Sequence, residues 1–156
     1  MRLLFKQRLF SWFDSYDIYT EDGSVCYTVK GQLAWGHLLK VYDAQGREVG
    51  EVRERILSLL PKFEVSCGGQ YLGCIRKEFS LLRPRFDIDY NGWAVQGDWM
   101  GWDYTITGPS GQCIATVSKE LLRMTDTYVL EVKGPANALH VLLFALAMDA
   151  EKCSRN

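Results

Sequence analysis

Four basic residues lie close together near the middle of the chain and form its best candidate for binding an anion. They are Arg76, Lys77, Arg83 and Arg85. Arginine presents a planar fork of donors that matches phosphate oxygens, and lysine adds a mobile point charge. The segment could therefore hold an anionic lipid headgroup, and Arg53 and Arg55 form a second, smaller basic patch.

The same charges have a purely structural interpretation. Glu54, Glu78 and Asp87 lie among the basic residues and would balance them. Strands with one face in water need polar side chains on that face whatever the function of the protein. The sequence favours this interpretation over a lipid site.

Acidic residues raise a different possibility, an enzyme with a carboxylate-lined site at the mouth of a barrel. The candidate acids or bases are Asp87, Asp89, Asp98 and Asp103. Asp87 and Asp89 share one strand face and could perturb each other, although solvent would screen them. No nucleophile–base arrangement, Gly-rich phosphate loop or metal-ligand spacing accompanies them. We therefore predict a non-enzymatic protein without a catalytic, cofactor or metal site.

Three smaller features have both a functional and a structural interpretation, and the structural one is favoured for each. Trp93, Trp99 and Trp102 could form an exposed membrane-binding tip, but aromatic residues more often close a core. His140 could be a pH switch or a general base, but no catalytic partner is spaced around it, so it fits a hydrogen-bonded structural histidine. Cys67 and Cys74 flank a Gly-Gly turn and could face each other across a hairpin with a redox role, but buried small apolar residues are the common case.

Composition limits the partners and the compartment. A formal net charge of −1 gives no general attraction to nucleic acid. The five cysteines are odd in number and widely spaced, which suits the reducing cytoplasm. No apolar run approaches the roughly 20 residues that span a bilayer. The length of 156 residues predicts one domain covering residues 1–156.

Turn signals recur at a constant spacing. Asp22-Gly23, Gln45-Gly46, Gly68-Gly69 and Asn91-Gly92 follow one another every 23 residues, and Ser110-Gly111 comes after a shorter interval. Such dipeptides supply the positive φ angles of tight turns. One repeat accommodates two strands of ordinary length.

The segments between these turns alternate apolar and polar residues. Phe63, Val65 and Cys67 interleave with polar residues, and Tyr128, Leu130 and Val132 do the same near the end of the chain. This period of two is typical of strands with one face on a core. About twelve antiparallel strands are predicted between residues 3 and 133.

The C-terminal segment breaks this pattern. Residues 135–152 are rich in Ala, Leu and Met, and begin with a proline suited to a first helical turn. Its apolar residues cover nearly every direction of a helical wheel, so the helix must be surrounded. A barrel of twelve strands is wide enough to leave space for it. The predicted fold is a mainly β, closed barrel around one central hydrophobic helix.

Motifs in a consistent order along almost the whole chain resemble the LURP-one-related family. They include Phe5-Lys-Gln-Arg-Leu-Phe10, Asp17-Ile-Tyr-Thr-Glu-Asp-Gly23, Val41-Tyr-Asp-Ala-Gln-Gly46, Ile114-Ala-Thr-Val-Ser-Lys119 and the apolar helix that ends at Asp149. The resemblance implies the fold of the tubby C-terminal domain, similar to that of phospholipid scramblases. It implies little about activity, because no motif here matches the tubby phosphoinositide site.

We expect a non-enzymatic binding or scaffold domain in the cytoplasm. This expectation includes peripheral contact with a membrane. Its partner could be an anionic lipid such as a phosphoinositide, a hydrophobic ligand or a protein. The enzyme described above is one alternative. An interaction module in a stress or defence pathway, as the plant members of the family suggest, is another.

Overall fold

The computed structural model describes residues 1–6, 15–57, 59–60, 62–79, 81, 85–99, 101–122 and 125–153. These residues form twelve strands, a one-turn 3-10 helix and one α-helix. The elements are β1 (Arg2–Lys6), β2 (Ser15–Thr20), β3 (Val25–Ala34), β4 (Gly36–Asp43), β5 (Glu48–Arg55), β6 (Lys62–Cys67), β7 (Gln70–Glu78), β8 (Arg85–Tyr90), β9 (Ala94–Asp98), β10 (Asp103–Thr107), β11 (Cys113–Leu122), β12 (Thr125–Val132), the 3-10 helix (Pro135–Asn137) and α1 (Ala138–Cys153).

The strands form one antiparallel sheet in which neighbours in the chain pair with each other, except β8 and β9. The first strand also pairs with the last, along Arg2–Lys6 of β1 and Thr127–Glu131 of β12. The order across the sheet is β8-β7-β6-β5-β4-β3-β2-β1-β12-β11-β10-β9. The predicted twelve-stranded barrel is confirmed, with one difference: it is nearly closed, because β8 and β9 are the two edges of the sheet.

Aromatic contacts occupy the seam between these two edge strands. The rings of Phe86 in β8 and Trp99 after β9 meet edge to face, with their centroids 4.3 Å apart. At the other end of the seam, the amide of Trp93 donates to the carbonyl of Tyr90 across a tight turn. Side chains and one turn therefore close the wall where no hydrogen-bonded ladder does.

The regularly spaced turns all lie at one end of the barrel. Their glycines have positive φ, as predicted, from Gly23 at 84° to Gly111 at 80°. In an antiparallel meander every second connection returns to the same end, so a spacing of two strands places these turns together. We call this end the polar-turn end. The opposite end holds the connections β3–β4, β5–β6, β7–β8 and β9–β10.

Helix α1 fills the barrel, as its all-round apolar sequence predicts. Every residue from Val141 to Met148 is at most 3% exposed. The wall approaches closely enough that a Cβ on Gly50 of β5 would lie 2.8 Å from a methyl carbon of Leu143. The core therefore consists of the inward faces of the strands packed on this helix.

The tryptophans that could have formed an exposed tip instead close the barrel. Trp102 is 1% exposed and stacks on Tyr128 with ring centroids 3.9 Å apart, while Trp93 is buried beside Tyr90. Trp102 also has a φ of 60°, unusual for a bulky residue. The favoured structural interpretation holds for both residues.

His140 has the structural role expected for it. Its Nδ1 lies 3.1 Å from the Asn91 amide nitrogen, and its backbone carbonyl accepts a 3.0 Å hydrogen bond from the Tyr90 hydroxyl. These contacts tie the first turn of α1 to the turn between β8 and β9. Burial lowers the pKa of His140 below its ordinary value.

The two cysteines near the Gly-Gly turn do not face each other. The two-residue turn pairs Cys67 with Gln70, and Cys74 lies further along β7, opposite Glu64. Cys74 is buried and accepts a hydrogen bond from the Arg76 guanidinium. A further hydrogen bond to Cys74 raises the pKa of Tyr71 to about 12.

Candidate binding surface at one end of the barrel

Strand pairing joins the two basic patches of the sequence into a single row. Arg55 of β5 lies opposite Lys62 of β6, and Lys62 lies opposite Arg76 of β7. Directly opposed residues on neighbouring strands project from the same face of a sheet. Arg55, Lys62 and Arg76 therefore form a row on the outer wall, which we call the basic row.

Two carboxylates partly neutralise the basic row. Glu64 accepts from Arg55 at 2.7 Å and lies 3.1 Å from the ammonium of Lys62. Arg55 first, and Lys62 second, hold the pKa of Glu64 below its usual range. Arg76 donates instead to the Cys74 sulfur at 3.3 Å. Asp87 of β8 lies directly opposite Arg76, so the three cations and these two carboxylates leave a small local excess of positive charge.

The other candidate anion-binding residues lie apart from this row or outside the described residues. Lys77 follows Arg76 in β7 and therefore lies on the other face of the sheet. Its ammonium is 3.9 Å from the buried carboxylate of Glu151 in α1. Arg83 lies outside the described residues, and of Arg85 only the backbone, in β8, is described. Arg53 lies beside the row and pairs with Glu51 at 3.0 Å.

Large apolar side chains are exposed in the loops directly above the basic row. They are Trp35, Ile56, Leu57, Leu59, Phe79 and Leu81. Five of the six are between 80% and 105% exposed, and Ile56 is 46% exposed. We call this set the apolar loop face. Isolated exposed apolar residues are ordinary, but a cluster of this size marks an interaction surface.

The loops that carry these residues are neighbours because β3 to β8 are consecutive in the sheet. The first two loops are in contact, since a Cβ on Gly36 would lie 3.1 Å from a methyl carbon of Ile56. Beneath them, the Glu54 carboxylate accepts from the backbone amide of His37 at 3.0 Å and pairs with its imidazole. This buried pair fixes the hairpin tip that presents Trp35.

Charge in these loops is entirely basic. The segment from Arg55 to Lys62 contains two basic residues and no acidic one, and residues 79–85 contain Arg83 and Arg85 and no acidic one. The turns at the other end have a different character, with Glu21 and Asp22 in the first of them. The loops around the basic row therefore differ from the polar turns in polarity and charge, while the β9–β10 turn at the same end carries Asp98 and Asp103.

Sequence reasoning missed the apolar loop face, although a signal for it was present. Ser-Leu-Leu occurs at residues 58–60 and again at 80–82, each time followed within two residues by proline and a basic residue. In the sequence, apolar residues next to an alternating segment look like a continuation of the strand. Only the strand register shows that these triplets lie at strand ends.

The carboxylates proposed for an enzyme are all exposed on the outside of the barrel. Asp87 and Asp89 share the outer face of β8, while Asp98 and Asp103 lie directly opposite each other at the β9–β10 turn. Asp98 accepts from the amide of Gly101 at 2.9 Å, which stabilises that turn. Among the described residues, no group of three His, Cys, Asp or Glu is arranged to hold a metal ion.

Two shallow cavities of about 280 and 320 Å³ lie on the wall near the polar-turn end. The first is lined by residues that include Glu48, Glu51 and Ser66, and the second by residues that include Lys30 and Tyr42. No residue of α1 lines either of them. Neither cavity is therefore a compartment between helix and wall of the kind that a carrier of hydrophobic ligands would need.

A model of the LURP-one-related family matches residues 1–149. The chain belongs to the LURP-one-related family. It is 28% identical over 151 residues to YxjI, an uncharacterised protein of Bacillus subtilis (strain 168), covering 96% of this chain and 92% of YxjI. The family and this relative leave the activity open, so the surface chemistry carries the functional argument.

A solved structure shares the fold of this LURP-one-related protein. The X-ray structure of an Arabidopsis thaliana protein superimposes with a TM-score of 0.61 at 16% identity, covering 96% of this chain and 91% of the other. Within the described residues, no helix is both long and apolar enough to cross a bilayer.

Proposed function

We propose that this LURP-one-related protein is a non-enzymatic binding domain that engages an anionic lipid surface through the end of the barrel opposite the polar turns. The observation that carries the proposal is the basic row. Arg55, Lys62 and Arg76 lie side by side across three strands, where Glu64 pairs with the first two and Asp87 lies opposite the third.

The position of this row suits an extended anionic surface rather than an enclosed ligand. The three cations lie on a convex outer wall next to the loops. A basic side chain held near an anionic leaflet contributes about 1 kcal/mol, and the contribution falls off within a Debye length. A row of three is enough for reversible attachment that salt should weaken.

Co-sedimentation with vesicles tests the proposal. Vesicles of phosphatidylcholine mixed with phosphatidylserine should pellet the protein at low salt, and vesicles of phosphatidylcholine alone should pellet much less. Arg76→Glu should weaken binding to the mixed vesicles by roughly tenfold or more, because it replaces a positive with a negative charge. Adding phosphatidylinositol bisphosphate to the vesicles shows whether headgroup charge density matters.

Lys133→Glu is the matched control, since Lys133 is an exposed lysine near the polar-turn end. It makes the same change in net charge far from the basic row and should leave binding nearly unchanged. An equal loss in both variants, or no pelleting of the natural protein at low salt, would end the proposal.

A further inference from the structure

We infer that the apolar loop face enters the membrane interface, so that the barrel stands end-on on the bilayer with its basic row at headgroup level. This inference rests on the proposed function and adds the mode of attachment. The juxtaposition that carries it is the cluster of exposed apolar loop tips directly above the basic row.

The first argument is exposure. Trp35, Leu57 and Phe79 belong to three different loops, and each is at least 80% exposed. Side chains this exposed protrude from the protein and line no groove. Protruding tips suit a deformable partner such as lipid, whereas a folded protein partner needs a complementary concave surface.

The second argument is the vertical order of polarity. Going from the wall to the tip of the β5–β6 loop, the chain passes from Arg55 through Ile56 to Leu57, and it returns to Lys62. Cations below apolar tips reproduce the order of the bilayer surface, with phosphates outside the acyl chains. Trp35 adds a residue type enriched at membrane interfaces.

The third argument is charge, which disfavours a second copy of this chain as the occupant. A symmetric dimer through the apolar loop face would bring two basic rows together. The loop segments between Arg55 and Lys62 and over residues 79–85 contain no carboxylate, and the acids of the wall, Glu64 and Asp87, already face the cations of their own row. An anionic lipid surface satisfies both the cations and the apolar tips.

Quenching of tryptophan fluorescence by brominated lipids tests insertion directly. The probe is phosphatidylcholine–phosphatidylserine vesicles in which the phosphatidylcholine carries bromine high in its acyl chains. Binding should quench the natural protein, and Trp35→Phe should lose most of that quenching while still pelleting. Bromine placed deep in the chains should quench less, because loop tips reach only the interface.

A pair of serine substitutions measures the contribution of the tips to affinity. Leu57→Ser should weaken binding by roughly tenfold, the effect of keeping one leucine in water. Val25→Ser is the matched control, because Val25 is a partly exposed apolar residue near the polar-turn end. Its affinity should match that of the natural protein.

The outcomes separate this inference from the proposed function. Salt-sensitive pelleting without Trp35 quenching, and with equal affinities for Leu57→Ser and Val25→Ser, would overturn insertion and leave electrostatic adsorption standing. Absence of pelleting would overturn both proposals. Concentration-dependent dimers that Leu57→Ser abolishes would overturn insertion in favour of self-association.

Discussion

Gly50 of β5 and Leu143 of α1 meet with no room for a side chain on the glycine. An added Cβ would lie 2.8 and 2.9 Å from the two methyl carbons of Leu143 and 3.3 Å from its Cγ. Leu143 is fully buried, so it has little freedom to move aside. The absence of a Cβ at position 50 therefore sets how closely helix and wall approach.

This contact predicts a compensating pair of substitutions. Gly50→Ala should lower the free energy of unfolding by about 1–3 kcal/mol through overpacking, and Leu143→Ala should lower it by about 2–5 kcal/mol through a cavity. The free energy of unfolding of the double variant should fall by less than the sum of the two single effects, because the new methyl group enters the space that leucine leaves. Urea unfolding of the four proteins measures this coupling, and strict additivity would contradict it.

The pKa of His140 predicts a loss of stability in mild acid. Burial lowers this pKa below its ordinary value of 6.5, so the unfolded chain binds the proton more tightly than the folded one. The contribution of neutral His140 to the free energy of unfolding is fully present above about pH 6.5. It is lost as the pH falls through the pKa that His140 has in the folded protein. Unfolding by urea at several pH values should show the decline.

His140→Gln provides the comparison for that measurement. Glutamine can still accept a hydrogen bond from Asn91 but does not titrate. As the pH falls from neutral to below 6.5, the free energy of unfolding should therefore decline less in the variant than in the natural protein. The two proteins differ only at position 140, so the difference between them isolates this residue. Identical slopes would show that His140 does not couple to folding.

Two glycines with positive φ should respond very differently to alanine. A Cβ on Gly73 would lie 2.0 Å from the backbone oxygen of Asp89, whereas a Cβ on Gly46 would meet no atom within 4 Å. Gly46→Ala should cost about 1–2 kcal/mol, the strain of a left-handed residue alone. Gly73→Ala should prevent pairing of β7 with β8 and yield insoluble protein. A soluble Gly73→Ala with near-natural thermal stability would disprove the close approach.

The seam between β8 and β9 should be the first part of the wall to open. Removing the ring that contacts Trp99, in Phe86→Ala, should speed amide hydrogen exchange in both edge strands. Exchange in β4 and β5, paired on both sides, should change little. Uniform acceleration through the whole sheet would instead indicate global destabilisation.

Deleting the helix should remove the core. Truncation after Gly134 exposes the inward faces of the strands. It also removes seven large apolar side chains of α1, whose burial together contributes roughly 10–20 kcal/mol gross. That sum exceeds the usual net stability of a domain, about 5–15 kcal/mol. The truncated chain should be insoluble, and a well-dispersed NMR spectrum from it would count against a central role for the helix.

Local sequence signals predicted the architecture well because they act over a few residues. A glycine with positive φ, such as Gly23, and a helix apolar on every side each have only one favourable environment. The basic row could not be predicted in the same way. Arg55 and Arg76 become near neighbours only through their shared register with Lys62, and register depends on the bulge that follows Val65.

The antiparallel meander also separates Met1 from the last described turn of α1 along the barrel axis. The amino group of Met1 donates to the carbonyl of Val132 beside the polar turns, whereas α1 runs the length of the interior and brings Glu151 near Lys77 at the opposite end. A protein tethered to a biosensor chip by its N-terminus would present the loops to the solution. Tethered through the end of α1, it would point them at the chip.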